Sequence, residues 1–208
     1  MKSYRQYCGL AKALDVVGDR WTLLLVRELL IRGACRYTDL RQGLPGIATN
    51  LLAIRLRELE EAGVLISEEA PPPVARKLFR LTRRGEALAP VVEALGRWGA
   101  PLLAQPKRSD AFRSHWLVLP AEMHLKDHAP EEPPVGIELR IGDEPLAIET
   151  ADGKVRARPG PAEAPALVLS GRHELVFGVL MGKIGFAAAR AAGMAYHGDP
   201  AVLTRVHP

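Results

Sequence analysis

IATNLLAIRLRELEEAGVL, residues 47–65, is the stretch whose reading decides the fold. Leu52, Leu56 and Leu59 fall at i, i+4 and i+7, the spacing of one apolar face on an α-helix. Each helical residue turns the chain by about 100°. Asn50, Ala53, Ile54, Arg57 and Glu61 therefore share the opposite face. Gly63 suits the stop, because glycine enters the left-handed conformation without strain. A helix with a polar, cation-bearing outer face has the chemistry to lie in a DNA major groove, where Asn matches adenine and Arg matches guanine.

Towards the N-terminus, Gly43-Leu44-Pro45-Gly46 reads as a turn, and a short helix over 39–42, opened by Thr38 or a neighbour, precedes it. Two helices joined by a short Gly-containing turn make a helix-turn-helix unit. Residues 20–31 are apolar nearly all round and predict the central helix of the domain, with Asp19 as its N-cap and Gly33 as its end. Arg20 and Arg27 there are expected in structural ion pairs. Residues 4–17, with Leu10, Ala13, Leu14 and Val17, predict a short amphipathic helix ending at Gly18. Ala48, just before the helix proper, has no capping side chain, so Thr49 is expected to cap it.

Towards the C-terminus, residues 64–69 and 76–81 read as two strands of a hairpin. Its tip, 70–75, is proline-rich, and proline lacks the donor that a helix or central strand needs. Arg76 and Lys77 place cations at the base of the tip. A hairpin straight after a base-reading helix is a wing. Thr82 is expected to cap a long helix through Val91, Val92, Leu95 and Trp98, kinked at Pro90. Such an outer helix suits the pairing of two copies, since two half-sites need two readers.

The 208 residues carry a net charge of +4, and the excess is uneven. Residues 1–106 hold 16 Lys and Arg against 11 Asp and Glu, whereas the remainder hold 12 against 13. The basic half is where a polyanion would bind. Two cysteines, Cys8 and Cys35, make neither a zinc site nor a disulfide framework. The most apolar early run, 21–31, is cut by Arg27 and Glu28 and is too short for a bilayer, so the chain is expected to be cytoplasmic with no membrane partner. His124 and His128 have helical metal-ligand spacing but no evident third ligand, so no metal is expected. No Ser/His/Asp or paired-carboxylate arrangement stands out; the expectation is a non-enzyme without a cofactor.

A boundary is expected in the proline-containing stretch 101–106, which divides the chain into a winged helix-turn-helix domain over 1–104 and a second domain over 108–208. In the second, Ser109 or Asp110 is expected to cap a helix containing Phe112, Trp116, Leu117 and Leu119, interrupted or ended at Pro120. Residues 128–134 read as a solvated loop. Val135, Ile137, Leu139 and Ile141 then alternate with polar positions as a half-buried strand. Further strands are expected over 146–150, 154–158, 166–170 and 194–198, with a hairpin turn at Ala151-Asp152-Gly153. Helices are expected over 173–181 and 184–192, and a last one over 200–205 capped by Asp199. Gly178 and Gly182 read as a close-packing pair. The order predicts an α+β fold, an antiparallel-rich sheet with helices on one face.

The first half resembles HxlR-type winged helix-turn-helix transcriptional regulators. Asp15-Val16-Val17-Gly18-Asp19-Arg20-Trp21-Thr22, Arg36-Tyr37-Thr38-Asp39-Leu40-Arg41, Leu44-Pro45-Gly46-Ile47, Asn50-Leu51-Leu52 and 55–64 carry the likeness, continued by Leu81-Thr82-Arg83-Arg84-Gly85 and Leu95-Gly96-Arg97-Trp98. The resemblance implies a homodimer that binds double-stranded DNA, with outer helices of both chains forming the interface. In some members a Cys-Pro near the N-terminus senses oxidants; Cys8 matches by position, but Gly9 stands where the proline would be. The second half is similar to sterol-carrier-protein-like domains through 137–145, Asp152-Gly153, 167–171 and Gly198-Asp199-Pro200. That likeness implies an apolar cavity for a lipophilic small molecule, with Trp116, Phe177, Leu180, Met181 and Phe186 as candidate lining.

Together these readings predict a homodimeric, sequence-specific transcriptional regulator. Asn50, Ala53, Ile54 and Arg57 are expected to face base edges, and Arg36, Thr38, Thr49, Arg76 and Lys77 to meet phosphates and set register. Arg55 falls nearer the packed side and is expected to reach phosphate or nothing. Two alternatives of other classes stay open, a lipid carrier and a small enzyme acting on the lipophilic ligand; a variant of the main reading is a redox-sensing regulator acting through a Cys8 thiolate with Arg5 and Lys12 at helical spacing. Cys8 also reads plainly as a small apolar residue.

Overall fold

The structure, a computed structural model, describes residues 3–69, 77–104, 107 and 109–208. It divides into two compact units, Met1–Pro106 and Lys107–Pro208.

The first unit begins with α1 (Gly9–Val17) and α2 (Thr22–Arg32). Leu25, Val26 and Leu29 of α2 are buried at the centre of the core, as its apolar surround predicts. Asp19 does not cap α2. The helix opens behind Trp21, whose φ is +79°, with no side-chain cap, and the Asp19 carboxylate turns instead to Arg55. Of the two arginines expected in ion pairs, Arg27 makes one with buried Glu28 at 2.6 Å, whereas Arg20 lies over the Trp21 ring. After β1 (Cys35–Arg36) come α3 (Tyr37–Gly43) and α4 (Thr49–Glu61). Asp39 fixes the start of α3 by accepting the Arg36 N–H at 3.0 Å.

The hairpin strands are β2 (Leu65–Glu69) and β3 (Lys77–Leu81), antiparallel as expected. The tip, 70–76, lies outside the described residues. β1 pairs with the other edge of β3, giving sheet order β1-β3-β2. The expected long C-terminal helix is two: α5 (Arg83–Glu86) and α6 (Ala89–Gly99). Thr82 does cap, its Oγ1 accepting the Gly85 N–H at 3.2 Å. Pro90 sits in the first turn of α6, where its missing N–H costs nothing, so it starts a helix instead of kinking one. A 3-10 turn, Ala100–Ala104, follows α6.

The second unit opens on a 3-10 turn, Ser114–Leu117, running into α7 (Val118–His124). This is later than a cap at Ser109 or Asp110 would give; Asp110 instead closes a turn by accepting the Lys107 N–H at 2.8 Å. Pro120 again lies in a first helical turn. Then come β4 (Lys126–Asp127), β5 (Gly136–Arg140), β6 (Leu146–Ala151), β7 (Lys154–Pro159) and β8 (Leu167–Ser170). The chain ends with α8 (His173–Leu180), α9 (Phe186–Ala191), β9 (Ala195–Gly198), a 3-10 turn over Pro200–Thr204 and β10 (Val206–His207). Asp199 caps that last turn as expected, although it is 3-10 and not α.

The main sheet runs β7-β6-β5-β8-β9. Every neighbouring pair in it is antiparallel except β5 and β8, which run parallel. Asp152 and Gly153, both at positive φ, make the two-residue turn between β6 and β7. β5 is central and buried on both faces, not half-buried: even Glu138 is 4% exposed. Its carboxylate is satisfied there by the Ala162 N–H at 3.0 Å and Arg140 Nε at 2.7 Å. A second pairing, β4 with β10, brings the C-terminus against the 126–127 strand. Among the described residues no helix is long and apolar enough to cross a membrane.

Candidate nucleic-acid interface

α4 is built as its periodicity requires. Leu52, Leu56 and Leu59 are at most 3% exposed and close the core. The opposite side leaves Asn50, Ala53, Ile54 and Arg57 in water, a large apolar residue among them. Gly63, at φ +68°, ends the run. Thr49 is the first helical residue and not the cap; the N-cap is Ala48, with no side-chain bond. The start of the helix is held from outside, by the Tyr37 hydroxyl donating to the Thr49 carbonyl at 2.6 Å. Asn50 Oδ1 accepts the Leu51 N–H at 2.9 Å. No hydrogen bond or ion pair ties the Arg57 guanidinium among the described residues. An exposed untied guanidinium on a rigid helix has its donors ready for a base edge or a phosphate.

The residues expected at phosphate are distributed around this helix. Arg36 precedes α3 and is half-buried, and Thr38 is exposed in the first turn of α3. Lys77 begins β3, exposed, with Nζ 5.4 Å from the Phe79 ring centroid. Arg76 lies outside the described residues. Arg80, across the hairpin, is already engaged by Glu68, whose carboxyl its guanidinium holds below the usual range. Arg55 departs from expectation: it is not left free, but ion-pairs with Asp19 at 2.6 Å and with Glu58. Nothing in local sequence flags that pairing, since Asp19 is 36 residues away.

The outer helices α1 and α6 keep apolar side chains in water. Leu10 is 70% exposed and Trp98 76%. Val91 and Leu95 of α6 are exposed as well. Cys8 stands exposed at the N-cap of α1, and the N–H groups of Ala11 and then Leu10 lower its thiol below the ordinary value. Cys35 is the opposite case: burial pushes its thiol up to about 12.

In the second unit, Phe177 and Leu180 lie on α8, Met181 at its C-cap, and Phe186 opens α9. Ile184, in the link between the two helices, lies against Gly178 of α8, and Gly182 forms a left-handed turn in the same link. Phe186 meets Tyr196 edge-on at 5.0 Å. Trp116 belongs to a separate segment, edge-on to buried His115. His128 stacks on His207 at 3.7 Å. Among the described residues no group of three His, Cys, Asp or Glu side chains is placed to hold a metal.

Residues 16–107 match the model of the HxlR-like helix-turn-helix family. The chain is 36% identical over 87 residues to the uncharacterized HTH-type transcriptional regulator YvaP of Bacillus subtilis, covering 42% of this chain and 80% of that one. It is 34% identical over 98 residues to the uncharacterized HTH-type transcriptional regulator sll1512 of Synechocystis, covering 47% and 72%. Among solved structures it is similar to the redox regulator HypR in its reduced form, at TM-score 0.42 and 28% identity over 47% of this chain and 100% of that one. It is likewise similar to the reduced form of the transcriptional regulator YodB from B. subtilis, at TM-score 0.42 and 25% identity over 49% and 100%.

Proposed function

The chain belongs to the HxlR-like helix-turn-helix family of transcriptional regulators, and from that premise we propose that it reads an operator as a homodimer, with α4 in the major groove. The observation that carries this is the exposed stripe Asn50, Ala53, Ile54 and Arg57, opposite the buried leucines of the same helix. In this reading Arg57 and Asn50 bond base edges, while Ala53 and Ile54 meet thymine methyls. Arg36, Thr38, Thr49, Arg76 and Lys77 hold phosphates and so set register without carrying sequence. The exposed Val91, Leu95 and Trp98 of α6, with Leu10 of α1, support the second copy. Val91, Leu95 and Trp98 share one face of α6 at i, i+4 and i+7, and an exposed apolar stripe of this kind marks an interaction site.

The second unit, 107–208, acts in this proposal as a regulatory module that takes a lipophilic small molecule against Trp116, Phe177, Leu180, Met181 and Phe186. Such a ligand changes DNA affinity only by preferring one arrangement of the dimer; equal affinity for both shifts nothing. A second reading, regulation through a Cys8 thiolate, is favoured by one observation: Cys8 is exposed with its pKa lowered by two backbone donors. The test of the main reading is binding to the duplex that the protein enriches from a random-sequence library. Arg57→Ala and Asn50→Ala are expected to weaken that duplex and spare a scrambled one; equal loss on both would count against base reading.

A further inference from the structure

Arg55 sits on the flank of α4. At about 100° per residue it falls between the buried Leu52-Leu56-Leu59 face and the exposed Asn50-Arg57 face. Its side chain is 15% exposed. Its Nη1 donates to Asp19 Oδ2 at 2.6 Å and also to Glu58, one helical turn on. Its Nε is buried and has no hydrogen-bond partner among the described residues. An unmatched buried donor costs stability, which offsets part of what the two ion pairs contribute.

Asp19, for its part, is presented by a constrained turn. Trp21, two residues on, is left-handed at φ +79°, an unfavourable conformation for a bulky side chain. The Thr22 N–H donates to the Asp19 carbonyl at 3.2 Å. Its carboxylate is 58% exposed, in a cleft of about 690 Å³ shared with Ser3, Tyr4, Leu14, Asp15, Gly18, Arg55 and Glu58. An ion pair so open to water adds little to stability. It can still fix an angle, because one end is rooted in the α1–α2 turn and the other in α4.

We propose that Arg55 and Asp19 are a positioning pair for DNA reading: their ion pair sets the rotation of α4 about its own axis, and with it the register in which Asn50 and Arg57 meet base edges. The proposal rests on α4 being the base-reading helix. A rotation that leaves the helix packed would misplace the base contacts while leaving phosphate contacts nearly intact, so the cost falls on specificity. Because water and ions reach Asp19, added salt weakens the pair and lowers discrimination as well as affinity.

The test uses the full-length protein and two duplexes of equal length: the one the wild-type protein enriches from a random-sequence library, and a scrambled version. Kd on each and Tm are measured for the wild type, Asp19→Asn, Arg55→Gln, the double variant, Arg55→Lys, and Arg57→Ala as the control for base reading. Asp19→Asn and Arg55→Gln are each expected to lower the ratio of specific to non-specific affinity roughly tenfold, a size typical of coupled ion-pair residues. The scrambled-duplex Kd and Tm stay as in the wild type, the double variant is no worse than either single one, and Arg55→Lys recovers part of the ratio. An unchanged ratio in both single variants overturns the proposal. So does a parallel loss of Tm and of binding to both duplexes, which is the mark of a purely structural pair. If Arg57→Ala also keeps the wild-type ratio, or the wild type enriches no duplex, the base-reading role of α4 fails and takes the pair with it.

Discussion

The carboxylate of Glu28, fully buried on α2, fills the space that a Cβ on Gly43 would occupy. Arg27 binds the same carboxylate at 2.6 Å and reaches the Gly43 carbonyl at 3.4 Å. The turn between α3 and α4 is therefore closed over a buried ion pair. Gly43→Ala forces that pair apart and is expected to destabilise the first unit by about 1–3 kcal/mol, the usual range for overpacking. Thermal or urea unfolding followed by circular dichroism reads the change, and a wild-type midpoint would contradict it.

The residues proposed to read bases and those proposed to hold phosphates should separate by their salt behaviour. Arg57→Ala is expected to relax sequence preference at one position per half-site, at a cost of about 1–3 kcal/mol there. Lys77→Ala is expected to weaken all duplexes alike and to reduce the slope of log K against log salt by about one unit. Fluorescence anisotropy across a salt series distinguishes the two.

The legible part of the fold was the part with a long period. α4 showed itself through Leu52, Leu56, Leu59 and Gly63, and the wing through its paired strands on either side of the prolines. β1 and β10, two residues each, are too short for any period to register. The parallel pairing of β5 with β8 joins segments about 30 residues apart and leaves no local mark. Burial of both faces of β5 made alternation in 135–141 misleading, because Glu138 is polar yet inside. Asp19 looked like a helix cap, since a carboxylate before an apolar run usually is one; the left-handed Trp21 sends it to Arg55 instead. At the candidate site, the stripe on α4 was readable from spacing alone, whereas its bracing was not, because the bracing is long-range.

The two cysteines should differ sharply towards an alkylating reagent. At neutral pH Cys8, exposed and with a lowered pKa, is expected to react with iodoacetamide, while Cys35, buried and pushed up to about 12, stays unmodified in the folded protein. Peptide mass spectrometry after a short exposure reports both sites together. Faster labelling of Cys35 than of Cys8 would reverse the assignment.

Acid should loosen the C-terminus of the second unit. Arg205 grips Asp127 through hydrogen bonds of 2.8 and 3.0 Å and also donates to the carbonyls of Pro133 and Glu132. The guanidinium holds the Asp127 carboxyl below the usual range. A carboxyl depressed in the folded state contributes stability that is present above its unfolded value, about pH 3.9, and lost as pH falls through the folded one. Asp127→Asn is therefore expected to lower Tm by several degrees at neutral pH, with the difference from wild type shrinking in acid below about pH 4. Differential scanning calorimetry over a pH series checks this; a difference that grows in acid would have the wrong sign.

Trp98→Asp places a charge on the apolar face of α6 and is expected to break the proposed homodimer into monomers. Native mass spectrometry or sedimentation velocity reads it, and an unchanged mass distribution would remove α6 from the interface.

The central claim is that the exposed face of α4 reads base sequence in two symmetric copies. Selection of duplexes from a random-sequence library, run side by side with the wild-type chain and Arg57→Ala, tests it most directly. An inverted repeat is expected for the wild type, with half-sites about 10 base pairs apart or a multiple of that, and loss of preference at one position per half-site for Arg57→Ala. The same enriched sequence from both proteins, or none from the wild type, would contradict it.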